Sequence, residues 1–182
     1  ENAVSLQTAE SYYVTEQGFE DLSKSTYPLL RDLIIERDLV LLGTDIFSQG
    51  NWANAATSVG SPLNEYNVNL GSSIGQVATL WNLLYKEINR TNTVISRAEA
   101  VVGMDEGLKA IRVAEAKVLR SLSLFYAVQQ WGDVPMPLEE TTSASKEVTR
   151  VAAAEVYSQI ITDLTAAEGV LPVTASDYGR AT

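Results

Sequence analysis

The run Glu115-Ala116-Lys117-Val118-Leu119-Arg120-Ser121-Leu122-Ser123-Leu124-Phe125-Tyr126-Ala127-Val128-Gln129-Gln130-Trp131-Gly132-Asp133-Val134-Pro135-Met136-Pro137 decides how this chain folds. Within it and just upstream, apolar residues recur at Leu108, Ile111, Val118, Leu119, Leu122, Phe125 and Tyr126, the three-and-four spacing that gathers side chains on one face of a helix. Such a face needs a partner. Gly132 can adopt the positive φ that closes a helix, and Pro135 and Pro137 lack the backbone donor to continue one. The helix is therefore predicted to stop at the turn and the chain to leave extended.

Working outward, a helical pattern starts near Thr15 with Phe19, Leu22, Leu30, Leu33, Ile34 and Leu41. Pro28 interrupts it, so a kink or restart is expected near Tyr27, and Gly43 is expected to end it. A second helix is predicted over residues 75–102, with Trp81, Leu84, Tyr85, Ile88, Ile95 and Val102 on its apolar stripe and Asn82, Lys86, Arg90 and Arg97 outside. Asn92 falls on that stripe, and its amide must find backbone partners, because an unpaired buried amide costs about 1–3 kcal/mol. Asp105 can cap the next helix after a short connection, which makes the second and third helices an antiparallel hairpin. A polar loop, 139–149, leads to a fourth helix over 152–170 that carries Val156, Ile160, Leu164, Ala167 and Leu171 inward and closes at Pro172. The segment 178–182 reads as the start of a further helix. The expected class is all-α.

Composition narrows the function. The chain has 182 residues, enough for one domain with a real core. Its net charge of −10 and scattered basic residues argue against a phosphate-tracking surface, hence no nucleic-acid partner. An anionic membrane surface is disfavoured for the same reason. With no cysteine and no histidine, thiolate chemistry, sulfur metal sites and the commonest general base are missing. No apolar stretch approaches the roughly 20 residues of a bilayer span. No cofactor and no catalytic residue is expected. Asp105 and Glu106 lack the alternating oxygen ligands of a calcium loop, and the Asn89-Arg90-Thr91 glycosylation triplet sits mid-helix. Acidic residues are plentiful, but no motif pairs two of them as a glycosidase requires.

Between Gly43 and Ile74 the periodicity vanishes. The composition turns to Gly, Asn and Ser, with Phe47, Trp52 and Tyr66 among them. An irregular loop of about 30 residues is uncommon in a compact domain unless it is functional or disordered. Flat aromatic faces pack on the C–H face of a sugar ring, and Asn and Asp side chains hydrogen-bond vicinal hydroxyls. Asp45, Asn51, Trp52, Asn54 and Tyr66 offer that chemistry and form the candidate ligand-binding set. The plainer alternative is that Trp52 and Tyr66 only anchor the loop on the helices. Asp133 is expected to stabilise its own turn, Arg120 to send its head to a carboxylate on a neighbouring helix, and Trp81, Tyr126 and Trp131 to belong to the core.

Three segments in order, Leu80 to Asn92, Glu115 to Pro135, and Arg150 with Glu155 to Leu164, make the chain resemble the SusD/RagB family. The resemblance implies the N-terminal helical part of a SusD-type fold, helical hairpins of a tetratricopeptide-like superhelix with an irregular loop at 43–74, and the remainder of the fold outside these residues. It further implies a non-enzymatic cell-surface lipoprotein of the outer membrane that captures glycans through loops of this region. Delivery would be to a SusC-like TonB-dependent transporter, with membrane attachment through a lipid anchor upstream of this chain. The sequence departs from the family pattern at Val151, where a Ser or Thr often caps the fourth helix; the cap is left to Thr149 or water. A helical-repeat scaffold that binds another protein and no sugar is the competing reading.

Overall fold

The computed structural model describes residues 8–35, 38–47, 61–67, 69–143, 148–175 and 177–182. Four short helices lead in, α1 (Ala9–Tyr12), α2 (Glu16–Lys24), α3 (Tyr27–Ile35) and α4 (Asp38–Leu41), followed by α5 (Ser61–Glu65). Three long ones complete the chain: α6 (Gly75–Arg97), extended by a 3-10 turn at Ala98–Ala100, α7 (Glu106–Trp131) and α8 (Ala153–Glu168). Helix α7 is central, packed on α6 on one side and α8 on the other, while α2, α3 and α4 pack on α6. Among the described residues only two isolated bridges, Thr15 with Val102 and Val134 with Val151, are extended pairings.

Local chemistry explains the boundaries. Thr15 caps α2 by accepting the Gly18 N–H at 3.1 Å, and the chain turns at Ser25–Thr26 and restarts at Tyr27, as Pro28 requires. Asp105 caps α7 by accepting the Leu108 N–H at 2.9 Å. Gly132, at φ 69°, closes it by donating to the Val128 carbonyl. The amphipathic faces meet in two clusters. Leu80, Leu84 and Ile88 of α6, Leu124, Ala127 and Val128 of α7, and Val156 and Ile160 of α8 form one with Leu33 and Val134. Phe19, Leu22, Val94, Ala98, Val101, Met104 and Ala116 form the other, at the α6–α7 turn.

The segment after α7 is a strap laid across α6. Its backbone is held by side chains two helical turns apart: the Tyr85 hydroxyl donates to the Pro135 carbonyl at 2.7 Å, and the Asn92 amide donates to the Pro137 and Glu139 carbonyls at 2.9 and 3.1 Å. Asn89 accepts the Thr141 N–H at 2.8 Å, and Arg97 holds Glu140 through two nitrogens. Arg90, expected on the polar face, is half-buried and donates to the Ser25 carbonyl at 2.9 Å. Thus Asn92 finds its backbone partners, whereas the polar loop expected from residue 139 begins as this ordered strap.

Two expectations about the last third of the chain need correction. The α8 cap comes from Asp133, which accepts the Ala153 N–H at 2.9 Å; the Val134–Val151 bridge brings the turn to the helix start, so neither Thr149 nor water is needed. The 178–182 segment is not helical. Arg180 turns inward to pair with Glu115 and, at 3.4 Å, with Glu20. Arg112 completes a buried ring by contacting Glu20 at 2.6 Å and Glu115 at 3.0 Å. Burial raises the Glu115 pKa, opposed by Arg180 and Arg112. The Ala181 N–H donates to the Tyr27 hydroxyl at 3.2 Å, so the segment is sewn to α3 as well.

At the centre, Arg120 forks onto Asp163 at 2.9 and 2.8 Å and also donates to Asn92 Oδ1 at 2.8 Å and the Leu138 carbonyl at 3.2 Å. This is the interhelical carboxylate expected for Arg120. Removing one member of a buried ion pair costs about 3–5 kcal/mol, because the survivor stays charged and dry. Arg120→Leu is expected to lose stability on that scale in urea unfolding, and Arg120→Leu with Asp163→Leu to recover most of it.

Glu87 stands apart. It is 1% exposed, and neither carboxyl oxygen has a hydrogen-bond partner among the described residues. Burial pushes its pKa up to about 8, with Arg90 pulling the other way. The unfolded carboxyl loses its proton near 4.5 while the folded one keeps it, so this group's contribution to stability falls as pH rises from about 4.5 to 8. Glu87→Gln is expected to remove that slope, raising the melting temperature more at pH 8 than at pH 5 relative to wild type.

Candidate functional site

The candidate loop leaves the scaffold at α4 and returns through α5. At the exit, Gly43 has φ 75°, a conformation glycine adopts without strain, and the Thr44 hydroxyl donates to the Leu41 carbonyl at 2.8 Å. On the return, Leu63 is buried and Tyr66, at φ 48°, is the only non-glycine residue with positive φ among the described residues. Its hydroxyl donates to the Gly43 carbonyl at 3.0 Å, and a Cβ placed on Gly43 would lie 2.6 Å from both the Tyr66 ring and the Leu63 carbonyl. The two ends are therefore closed on each other, ring against glycine.

Beyond Tyr66 the chain turns through Asn67, whose side-chain oxygen accepts the Asn69 N–H at 3.0 Å and whose carbonyl accepts the Leu70 N–H at 2.9 Å. Around this closure apolar surface faces outward: Ile46 is 92% exposed and Phe47 51%, and Tyr66 keeps 65% of its surface accessible although it anchors the loop. Asp45 is exposed beside them in sequence. The anchoring role and the ligand-facing role of Tyr66, posed as alternatives by the sequence, are compatible in one residue. Asn51, Trp52 and Asn54 lie outside the described residues.

The described part of the arrangement offers exposed aromatic rings and an exposed carboxylate. Among the described residues no group of His, Cys, Asp and Glu side chains could hold a metal ion, and no helix is long and apolar enough to cross a membrane. Glu87, whose carboxyl pKa burial pushes up to about 8, is sealed in the helical core. Asp133 is spent on the α8 cap. Trp81, Tyr126 and Trp131 pack half-buried against the main core cluster.

Fold and site together define an all-α helical-hairpin scaffold that carries a closed, aromatic-bearing surface loop. The chain belongs to the SusD-like family, whose description is "Starch-binding associating with outer membrane", matched over residues 34–182. It is similar to the SusD-like protein P25 of Formosa agariphila, with 25% identity over 195 residues that cover 100% of this chain and 36% of the relative. It is similar in fold to a laminarin-binding SusD-like protein, with a TM-score of 0.76 at 23% identity over 93% of this chain and 38% of that one. A structure with xylogluco-oligosaccharide gives a TM-score of 0.73 at 22% identity over 90% of this chain and 32% of that one. The chain thus spans about a third of the length of the relatives it matches, and its fold is the tetratricopeptide-like helical one of this family.

Closure of the loop depends on Gly43. Gly43→Ala would force a Cβ into the Tyr66 ring at a positive φ that costs an L-residue about 1–2 kcal/mol. The variant is expected to be cleaved several-fold faster by protease within residues 43–66, with the helical circular dichroism unchanged.

Proposed function

We propose that this chain is the helical frame and part of the ligand site of a glycan-capture protein at the cell surface. It binds oligosaccharide without cleaving it and delivers it to a SusC-like TonB-dependent transporter of the outer membrane, held there by a lipid anchor outside this chain. Membership of the family described as starch-binding is the observation that carries the reading. Two structural relatives, one named for laminarin and one solved with xylogluco-oligosaccharide, support it. The loop supplies the chemistry: exposed aromatic faces for the apolar side of a pyranose, and Asp45, Asn51 and Asn54 for its hydroxyls.

One observation favours the protein-scaffold reading. Val118, Leu122 and Phe125 of α7 and Tyr157, Ile161 and Leu164 of α8 line a wholly apolar groove, unsuited to a hydroxylated ligand and suited to a helix. Glycan capture and this groove are not exclusive, since they lie on different elements. The discriminating variant is Trp52→Ala. Calorimetric titration with laminarin and xyloglucan oligosaccharides is expected to show at least a tenfold loss, about 1.4 kcal/mol, at an unchanged melting temperature. Unchanged glycan binding would remove Trp52 from the site, and no binding by the wild type to any glycan on an array would leave the scaffold reading.

A further inference from the structure

A second opening lies away from the loop, where the strap crosses the first half of α6. Trp81, Tyr85, Lys86 and Asn89 of α6 face Pro135, Pro137, Thr141 and Val148 across a cleft of about 460 Å³, within the range of roughly 300–1,000 Å³ typical of small-ligand sites. The helix sets its order: aromatic rings at i and i+4, donors at i+5 and i+8.

The walls are preorganised. The Trp81 and Tyr85 rings are 4.5 Å apart and tilted by 32°, and Trp131 meets Trp81 edge-on at 5.1 Å and 89°. Tyr85 is fixed by its bond to the Pro135 carbonyl, and burial raises its pKa, so the hydroxyl stays a donor. Asn89 gives its side-chain oxygen to the Thr141 N–H, which turns the donating NH₂ edge of the amide the other way. The proline wall has no N–H and presents ring C–H groups. Among the described lining residues Lys86 is the one charged side chain, and none is a carboxylate.

We propose that this cleft is a second sugar-binding subsite, separate from the 43–74 loop, which takes one pyranose unit of a glycan and favours a uronate over a neutral sugar. The proposal rests on the glycan-capture reading. An aromatic platform receives the apolar face of the ring, the Asn89 amide bonds a pair of hydroxyls, and the Lys86 ammonium meets the carboxylate. Because helix and strap hold Trp81, Tyr85 and Asn89 already in place, little of their conformational entropy is lost on binding.

The chain has three tryptophans, so the test reads three indole N–H resonances by ¹⁵N NMR, assigned through single Trp→Phe variants. The probes are laminarihexaose, a xyloglucan oligosaccharide and an oligogalacturonate. The Trp81 resonance is expected to shift saturably, to do so still in Trp52→Ala, and to require at least tenfold more oligogalacturonate in Lys86→Glu, whose exposed position leaves the melting temperature unchanged. A response of Trp52 with none from Trp81 overturns the cleft while the loop site stands. Silence of every resonance with all three probes overturns both the cleft and the glycan reading. An equal oligogalacturonate response in wild type and Lys86→Glu overturns the acidic preference.

Discussion

The buried guanidinium of Arg120 sets the geometry of this fold. With side chains about 5% exposed, Arg120 and Asp163 form a forked pair inside the helical stack, and such a pair tolerates little displacement because each lost bond leaves a dry charge. Its other contacts extend the constraint: Asn92 belongs to α6, and the Leu138 carbonyl belongs to the strap. One side chain thus links α6, α7, α8 and the connection between them. Hydrophobic periodicity alone would let the helices slide by a turn, since Leu and Ala faces are nearly interchangeable at that spacing. The fork removes that freedom.

A second ionic centre does related work at the other end of α7. The Arg112–Glu20–Arg180–Glu115 ring alternates charges around a closed circuit, so every carboxylate has two cationic neighbours and the net charge buried is zero. It ties α2 to α7 and brings the last described residues back onto the body. Glu87 is the contrast: similarly buried, without a hydrogen-bond partner among the described residues, and with its pKa pushed up to about 8 by burial. The chain tolerates buried ionisable groups only as compensated networks or as uncharged acids.

Much of this was legible from the residues. The apolar stripes located α6, α7 and α8, Pro28 placed the restart at Tyr27, and the lone amide of Asn92 and the lone guanidinium of Arg120 on apolar faces announced buried polar bonds. The strap was not legible, because its partners Tyr85, Asn89 and Arg97 lie some 40 to 50 positions away from Pro135, Thr141 and Glu140 in the chain, and periodicity carries no information about such pairings. Asp133 was read as serving its own turn, because local sequence cannot show that the Val134–Val151 bridge delivers it to a different helix. At the loop, composition marked the stretch and its aromatics, but only the Tyr66–Gly43 closure reveals that one tyrosine is both anchor and exposed face. The Trp81 cleft was hidden for the same reason as the strap: half of it is α6 and half arrives from beyond α7.

On the proposed reading, loop and cleft are two ways to hold a sugar on one frame. A glycan repeats, so two modest subsites can engage one chain, and the second contact becomes intramolecular once the first is made. That gain requires a fixed spacing between the sites. Here the loop is rooted at α4 and α5 and the cleft on α6, and α4 packs directly on α6, so the roots of the loop and the cleft are joined through helices. Under that reading each site can remain weak, since a ligand that must later leave for a transporter is poorly served by one deep, tight pocket. On the proposed reading, the buried forks and rings of the interior therefore serve function by holding the roots of the loop and the walls of the cleft in constant register.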